Sequence, residues 1–218
     1  MKKYVLTKET ITVNGSVLHR IKSLKSFSNV KKGDLGGWIE KESNLSQDGN
    51  AWVYEGARVY EDARVYGNAE VYGNAKVYGV ADVYGDALVY GYAEVYGVAK
   101  VYGGAKVYDD AEVYGNVKVY GGALVYGYAL LYGNADVLGD AEITSNLDYM
   151  VFKNSWSSGR YFTYTLSNKK WKVGCFYGTG KQLIKKAYQD SELKGKCYEA
   201  TVKYAETIAK LVRSGKKK

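Results

Sequence analysis

The residues able to do chemistry in this chain are few, and most lie in its last third. Tyr177-Gly178-Thr179-Gly180-Lys181 sets a glycine-rich turn between a strand-like run and a helix-like one, with a lysine at the helix start. Free backbone N–H groups converge at such a turn, so it suits an anion. A true phosphate loop would carry Ser or Thr after the lysine, and here Gln182 follows Lys181. Trp156, Arg160, Trp171 and Lys172 are of the types that stack on bases and pair with phosphate. Arg160, Trp156, Trp171, Lys172, Gly178, Thr179, Gly180 and Lys181 therefore make a candidate ligand or anion site. A plain turn with a helix cap is the simpler alternative.

Other chemistry is thinly supplied. The single histidine, His19, and two cysteines twenty-two residues apart, Cys175 and Cys197, have no zinc-site spacing. Asp109-Asp110 could meet a cation, although an exposed acidic corner is the commoner use of such a pair. No nucleophile–base pair is legible. Catalytic residues, metal ligands and cofactors are accordingly all expected to be none, and the chain is expected not to be an enzyme.

The element that positions everything else is a six-residue unit, Ala-x-Val-Tyr-Gly-x, running unbroken from Ala51 to Ile143. A branched aliphatic residue recurs sixteen times, from Val53 to Ile143, and the residue two before it is Ala except at Val117. Within a unit, Ala and Val alternate with outward residues as in an extended strand, and Gly-x breaks the strand at a corner. A glycine every sixth residue, and a period that drifts around a 3.6-residue turn, exclude a helix. Short strands with one apolar face can bury it only by winding around a shared axis, which makes a solenoid. Tyr follows the aliphatic residue in fourteen consecutive units, from Tyr54 to Tyr132. Rings stacked along the axis would form ladders that stabilise parallel strands. One face repeats Ala-Leu-Val-Tyr-Gly-Tyr verbatim, so Leu88, Tyr90, Tyr92, Leu124, Tyr126 and Tyr128, with Leu130 around the corner, form a candidate oligomer or partner interface.

Val-Tyr-Gly-Asn-Ala-x resembles the hexapeptide repeat of left-handed parallel β-helices, departing from it where Tyr replaces a small or acidic residue. The resemblance implies a triangular coil of three units, residues eighteen apart in register, a little over five coils from the sixteen units, and a homotrimer. A narrower likeness covers roughly residues 20 to 145. Asp34-Leu35-Gly36-Gly37-Trp38-Ile39, Asn44-Leu45-Ser46-Gln47 and Trp52-Val53-Tyr54 look like the opening of YdcK-like hexapeptide proteins of bacterial and phage type. That likeness implies a fold and no established activity. Many β-helix proteins are acyltransferases that use a histidine between subunits and a long inserted loop. His19 lies outside the repeats and no such loop is present, so acyl transfer ranks as a lesser alternative.

Charge is unevenly spread along the 218 residues: +4 over 1–50, −7 over 51–143 and +11 over 144–218. The expected fold class is mainly β: a single-stranded left-handed parallel β-helix with a small α+β C-terminal domain. The expected division is an N-terminal cap at 1–37, a β-helix at 38–145, and a basic domain of three strands and two helices at 146–218. Trp38, Ile39 and Leu45 fall in the alanine register, which starts the first coil near residue 38, and Asn14-Gly15 marks a hairpin in the cap. The third C-terminal strand is expected to run from Trp171 to Tyr177. The tail 216–218 is expected to be frayed. No apolar run approaches a membrane span, and the cysteines are expected to be reduced, so a cytoplasmic protein without membrane partners is expected, in a host cytoplasm if phage-encoded. The leading functional expectation is an oligomeric interaction protein acting on a host protein, of anti-defence type. The alternative is a nucleotide or nucleic-acid binder using the basic C-terminal domain.

Overall fold

The computed structural model describes residues 2–215; the tail 216–218 lies outside them. Each hexad contributes one two-residue strand, from Trp52–Val53 to Glu142–Ile143, and every third strand pairs in parallel. Val89, for example, lies between Val71 and Val107, each eighteen residues away. Three faces result. Their outward rows read Arg58, Lys76, Glu94, Glu112 and Leu130 on the first; Glu70, Leu88, Lys106, Leu124 and Glu142 on the second; and Arg64, Asp82, Lys100, Lys118 and Asp136 on the third. The alanine and aliphatic positions are wholly buried throughout and form one continuous core.

The corners need glycine for two reasons. Gly97 has φ +69, and a Cβ there would sit 2.9 Å from the backbone nitrogen of Gly115 in the next coil. Glu61 and Asp109 replace glycine at two corners with φ 55 and 58. Each uses its carboxylate to accept an N–H from the glycine one coil on, Gly79 at 2.8 Å and Gly127 at 3.1 Å. This is what the Asp109 side chain does at the interruption of the glycine row.

The tyrosines form the expected ladders. Ring centroids from Tyr66–Tyr84 to Tyr108–Tyr126 stand 4.7–4.9 Å apart and nearly parallel. That spacing is the separation of neighbouring strands, so the backbone sets the stacking distance. Only the ends depart, with Tyr54 edge-on to Tyr72 at 87°.

The first coil differs from expectation. Ile39 pairs with Val59 and Leu45 with Val65, twenty residues apart, so both take the aliphatic place rather than the alanine place. Two extra residues between Leu45 and Val53 absorb the offset. With these rungs each face has six, giving six coils rather than a little over five.

Both ends of the rod are closed by side chains. Inter-coil hydrogen bonds run both ways: the Trp52 N–H donates to the Ala69 carbonyl one coil on, and the parallel pairing of Trp52 with Glu70 returns the Val71 N–H to the Trp52 carbonyl, so the first and last coils each leave backbone groups to be capped. At the start a hairpin, Tyr4–Val13 and Ser16–Ser23, turns at Asn14 and Gly15 and pairs with Leu35–Ile39. Beneath it the buried Lys3 Nζ donates to the Ala51 carbonyl at 2.9 Å, and the Tyr4 hydroxyl donates to that of Leu45 at 2.7 Å. At the far end the N–H groups of Tyr132, Asp136 and Glu142 donate to the hydroxyls of Tyr149, Thr163 and Ser167, and that of Thr144 to the Asp148 carboxylate.

Tyr149 and Thr163 belong to an antiparallel sheet of four strands, Tyr149–Lys153, Tyr161–Thr165, Lys170–Val173 and Phe176–Gly178, and Ser167 lies in the turn between its second and third strands. The single strand expected from Trp171 to Tyr177 is two, because Gly174 at φ 54 folds it into a hairpin. Helices α1 (Gly180–Asp190) and α2 (Glu192–Gly215) pack on this sheet around Phe162, Trp171, Leu183 and Val202.

The ladder predicts an alkaline weakness. Burial, with Glu70 beside it, pushes the Tyr54 phenol up to about 12, and burial raises Tyr72 and Tyr90 likewise. Stability from a phenol with a raised folded pKa is complete below its unfolded value near 10 and is lost as pH climbs through the folded value. Lys3, held down to about 8 chiefly by burial, works oppositely, adding stability between pH 8 and its ordinary 10.5. The tyrosines outnumber it, so the urea midpoint should fall between pH 9 and 12 while phenolate absorbance lags that of unfolded chain. A flat midpoint would refute the ladder's contribution.

Candidate functional site

The residues singled out in the C-terminal third are dispersed. Trp171 is 0 % exposed, packed against Tyr164 at 4.7 Å, and has no face to offer a base. Trp156 lies edge-on to Phe162 and Tyr198 in the same core. Trp171 therefore corrects the stacking expectation, since it is spent on the core, whereas Trp156 is half-buried at the edge of that core. Thr179 is the cap of α1. Its hydroxyl accepts from the Gln182 N–H at 3.4 Å, while Gln182 Oε1 accepts from the Thr179 N–H at 2.9 Å. Gln182, the residue that departs from a phosphate loop, thus occupies the N–H group an anion would need. Gly178 and Gly180 are buried, and a Cβ on Gly180 would strike Val202 of α2 at 2.6 Å, so that glycine serves helix packing. Burial raises the pKa of Asp136 while Lys118 and then Lys172 oppose that shift, which places the Lys172 charge toward the end of the rod. Arg160 lies beside Gly174 in a cleft whose lining does not include Lys181.

The rod carries the largest cavity described. A groove of about 420 Å³ lies on the first face, lined by Arg58, Lys76, Glu94 and Glu112, with Asn74, Tyr92 and Asp110 along the neighbouring corner. Hexads eighteen residues apart bring these charges into one row, although each is isolated in sequence. Lys76 Nζ donates to Glu94 Oε1 at 2.7 Å, and the Tyr78 hydroxyl donates to Glu94 Oε2 at 2.9 Å. The Tyr96 hydroxyl donates to Glu112 Oε2 at 3.0 Å. Burial is the first cause, and these carboxylates the next, that hold the Tyr78 and Tyr96 phenols protonated far above their ordinary value. Arg58 stands apart: its Nε is buried and has no hydrogen-bond partner.

The expected apolar face is present but interleaved with charge. Lys106 lies between Leu88 and Leu124, and Asp110 lies on the corner between Tyr92 and Tyr128. Tyr92 is 65 % and Tyr128 83 % exposed, and Leu130 is exposed on the first face, whereas Tyr90 and Tyr126 are half-buried within their ladder. His19 lies in the N-terminal hairpin, where its Nδ1 is 3.1 Å from the Thr7 carbonyl. A carbonyl can only accept, so Nδ1 carries a proton. Cys175 and Cys197 are unbridged. No described helix is long and apolar enough to cross a membrane.

No family model matches the chain. Over 63 residues it is 35 % identical to the uncharacterized acetyltransferase YdcK of Escherichia coli strain K12, a match that takes in 25 % of this chain and 19 % of that protein. The chain thus spans about a fifth of the relative's length. That likeness and the solenoid make this a hexapeptide-repeat β-helix protein. The expectation that it is not an enzyme is overturned by this relative, which is named as an acetyltransferase. Neither the fold nor the relative supports a phage origin or an anti-defence role.

The cap geometry gives a direct test. Thr179→Ala should lower stability by about 1 kcal/mol through loss of the reciprocal cap. Isothermal titration with inorganic phosphate should give the same weak or absent binding in both proteins; phosphate binding lost with Thr179 would restore the anion site.

Proposed function

We propose that this chain is an acyltransferase-type hexapeptide-repeat protein that holds a phosphate-bearing acyl donor in the groove on its first face. The observation that carries this reading is Arg58, a lining residue of that groove whose buried Nε has no hydrogen-bond partner. A buried N–H donor without an acceptor is costly unless a ligand supplies one, and phosphate is the acceptor that guanidinium suits best. Lys76 adds a second cation one coil on. Glu112 is the less engaged of the two carboxylates, with only Tyr96 bonded to it among the described residues. Its role in this reading is general base. It takes the proton from an amine or hydroxyl acceptor as that atom attacks the thioester carbonyl, the C–S bond breaks, and the thiolate leaves to be protonated.

A homotrimer completes the groove in this reading. Packed side by side in parallel, the second face of one copy meets the first face of the next across the Tyr92–Tyr128 corner. At three of the four levels the outward residues are complementary: Glu70 meets Lys76, Lys106 meets Glu112, and Leu124 meets Leu130, whereas Leu88 meets Glu94. The exposed Tyr92 and Tyr128 would then be covered at the centre of the assembly.

Acetyl coenzyme A is the probe. Calorimetry should show binding that Arg58→Ala weakens about tenfold, the value of one charge-assisted hydrogen bond. Glu112→Gln should leave donor affinity intact and slow acetyl transfer to an amine acceptor by about a hundredfold or more. No binding of acetyl coenzyme A by the wild type would end this reading. Separately, Leu124→Glu should reduce the native mass to that of one chain; an unchanged mass would remove this corner as the interface.

A further inference from the structure

Helix α2 has two apolar faces, and its own domain uses one of them. Tyr198, Val202, Ala205 and Ala209 are buried in the core of the C-terminal module. A helix that packs by one face only carries polar residues on the other. Here the outer side holds Leu193, Tyr204 and Leu211, which are 65 %, 59 % and 62 % exposed. Leu193 and Leu211 are eighteen residues apart, five whole turns at 3.6 residues per turn, so they stand on one line along the axis. Cys197, Ala200, Tyr204 and Thr207 fall between them at alternating steps of four and three, the spacing of a coiled-coil seam. The small residues among these leave recesses for the side chains of a second helix. Phe152 lies edge-on to the Tyr204 ring at 6.3 Å and supports it.

Charge says what the seam can meet. Lys196, Lys203 and Lys210 stand at seven-residue intervals along one flank, where coiled coils carry the charges that choose a partner. Lys203 and Lys210 form no ion pair among the described residues, and Lys196 is held only by the exposed Glu192 at 3.1 Å. The other flank offers Lys194, Thr201 and Ile208, and no acid. Two copies of α2 packed antiparallel would set the lysine row against itself. Packed parallel, they would set it against Lys194, Thr201 and Ile208. A second copy therefore supplies no counter-charge in either direction.

We infer that the outer face of α2 docks an acidic amphipathic helix of another protein, its apolar residues on the seam and its Asp or Glu residues along the lysine row. The net charge of +11 over residues 144–218 acts in the same direction, steering an acidic partner to this module. The surface is independent of the acyl-donor groove, whose lining includes no residue of α2, and stands or falls separately.

The probe is a synthetic helical peptide with Leu at its seam positions and Glu on both flanks, whose own charges keep it from pairing with itself. A Lys-flanked peptide and a scrambled acidic peptide of the same composition are the controls. Fluorescence anisotropy with the full chain at physiological salt should show binding of the Glu-flanked helix alone. Leu211→Asp should weaken that binding by about tenfold or more. Lys203→Glu combined with Lys210→Glu should weaken it likewise and admit the Lys-flanked helix, a gain that misfolding cannot produce. The half-buried Cys197 lies on the seam and the exposed Cys175 lies outside α2. At about ten times its dissociation constant the peptide should slow iodoacetamide alkylation of Cys197 by about tenfold and leave Cys175 unchanged. Equal binding of the scrambled peptide or of duplex DNA would make the face a plain polyanion surface and overturn the inference. So would no binding of the Glu-flanked helix, or full binding in Leu211→Asp.

Discussion

Everything in this molecule depends on how one coil bonds to the next. Hydrogen bonds run both ways between coils, so each end of the rod presents backbone groups that no further coil pairs. At the first end an ammonium and a phenol donate to carbonyls; at the second, hydroxyls and a carboxylate accept N–H groups while the Tyr149 and Tyr177 hydroxyls donate to the Leu130 and Leu138 carbonyls. The hairpin and the α+β module differ in structure but answer the same demand. Open strand edges would otherwise invite further chains to add on.

The repeats were legible because their physics is local: a glycine at a left-handed corner, a small and a branched residue inward, a ring outward. Periodicity placed the core, and the eighteen-residue step that stacks the rings came from the resemblance to left-handed β-helices. The first coil was misread because two extra residues between Leu45 and Val53 shift the register, and alanine-position counting cannot see an inserted pair. The break at Gly174 was hidden because Trp171-Lys172-Val173 and Phe176-Tyr177 each read as strand, and only a positive φ between them reveals the turn. Trp171 was placed on the surface for a different reason. In a module of this size an indole is worth more inside the core than on the surface, and sequence carries no sign of which use prevails.

The groove could not have been found by scanning for a motif. Its charged residues stand eighteen positions apart, and they become neighbours only when the solenoid closes. The signal was present as a column: reading every eighteenth residue gives Arg58, Lys76, Glu94, Glu112 and Leu130, a row that changes sign midway. In a solenoid, chemistry is written down the columns rather than along the chain, and the usual local spacing of catalytic pairs does not apply.

The verbatim phrase at 87–92 and 123–128 has a consequence for heredity rather than for folding. The two copies are thirty-six residues apart, which is two whole coils. Misaligned recombination between the two gene segments would remove or add that length in frame. The product would keep both end caps, every parallel pairing and an unbroken tyrosine ladder, and would differ only in height. Such a rod can change length in whole coils without ever passing through an unfolded intermediate design, so its stature is free to drift under selection while its ends stay fixed.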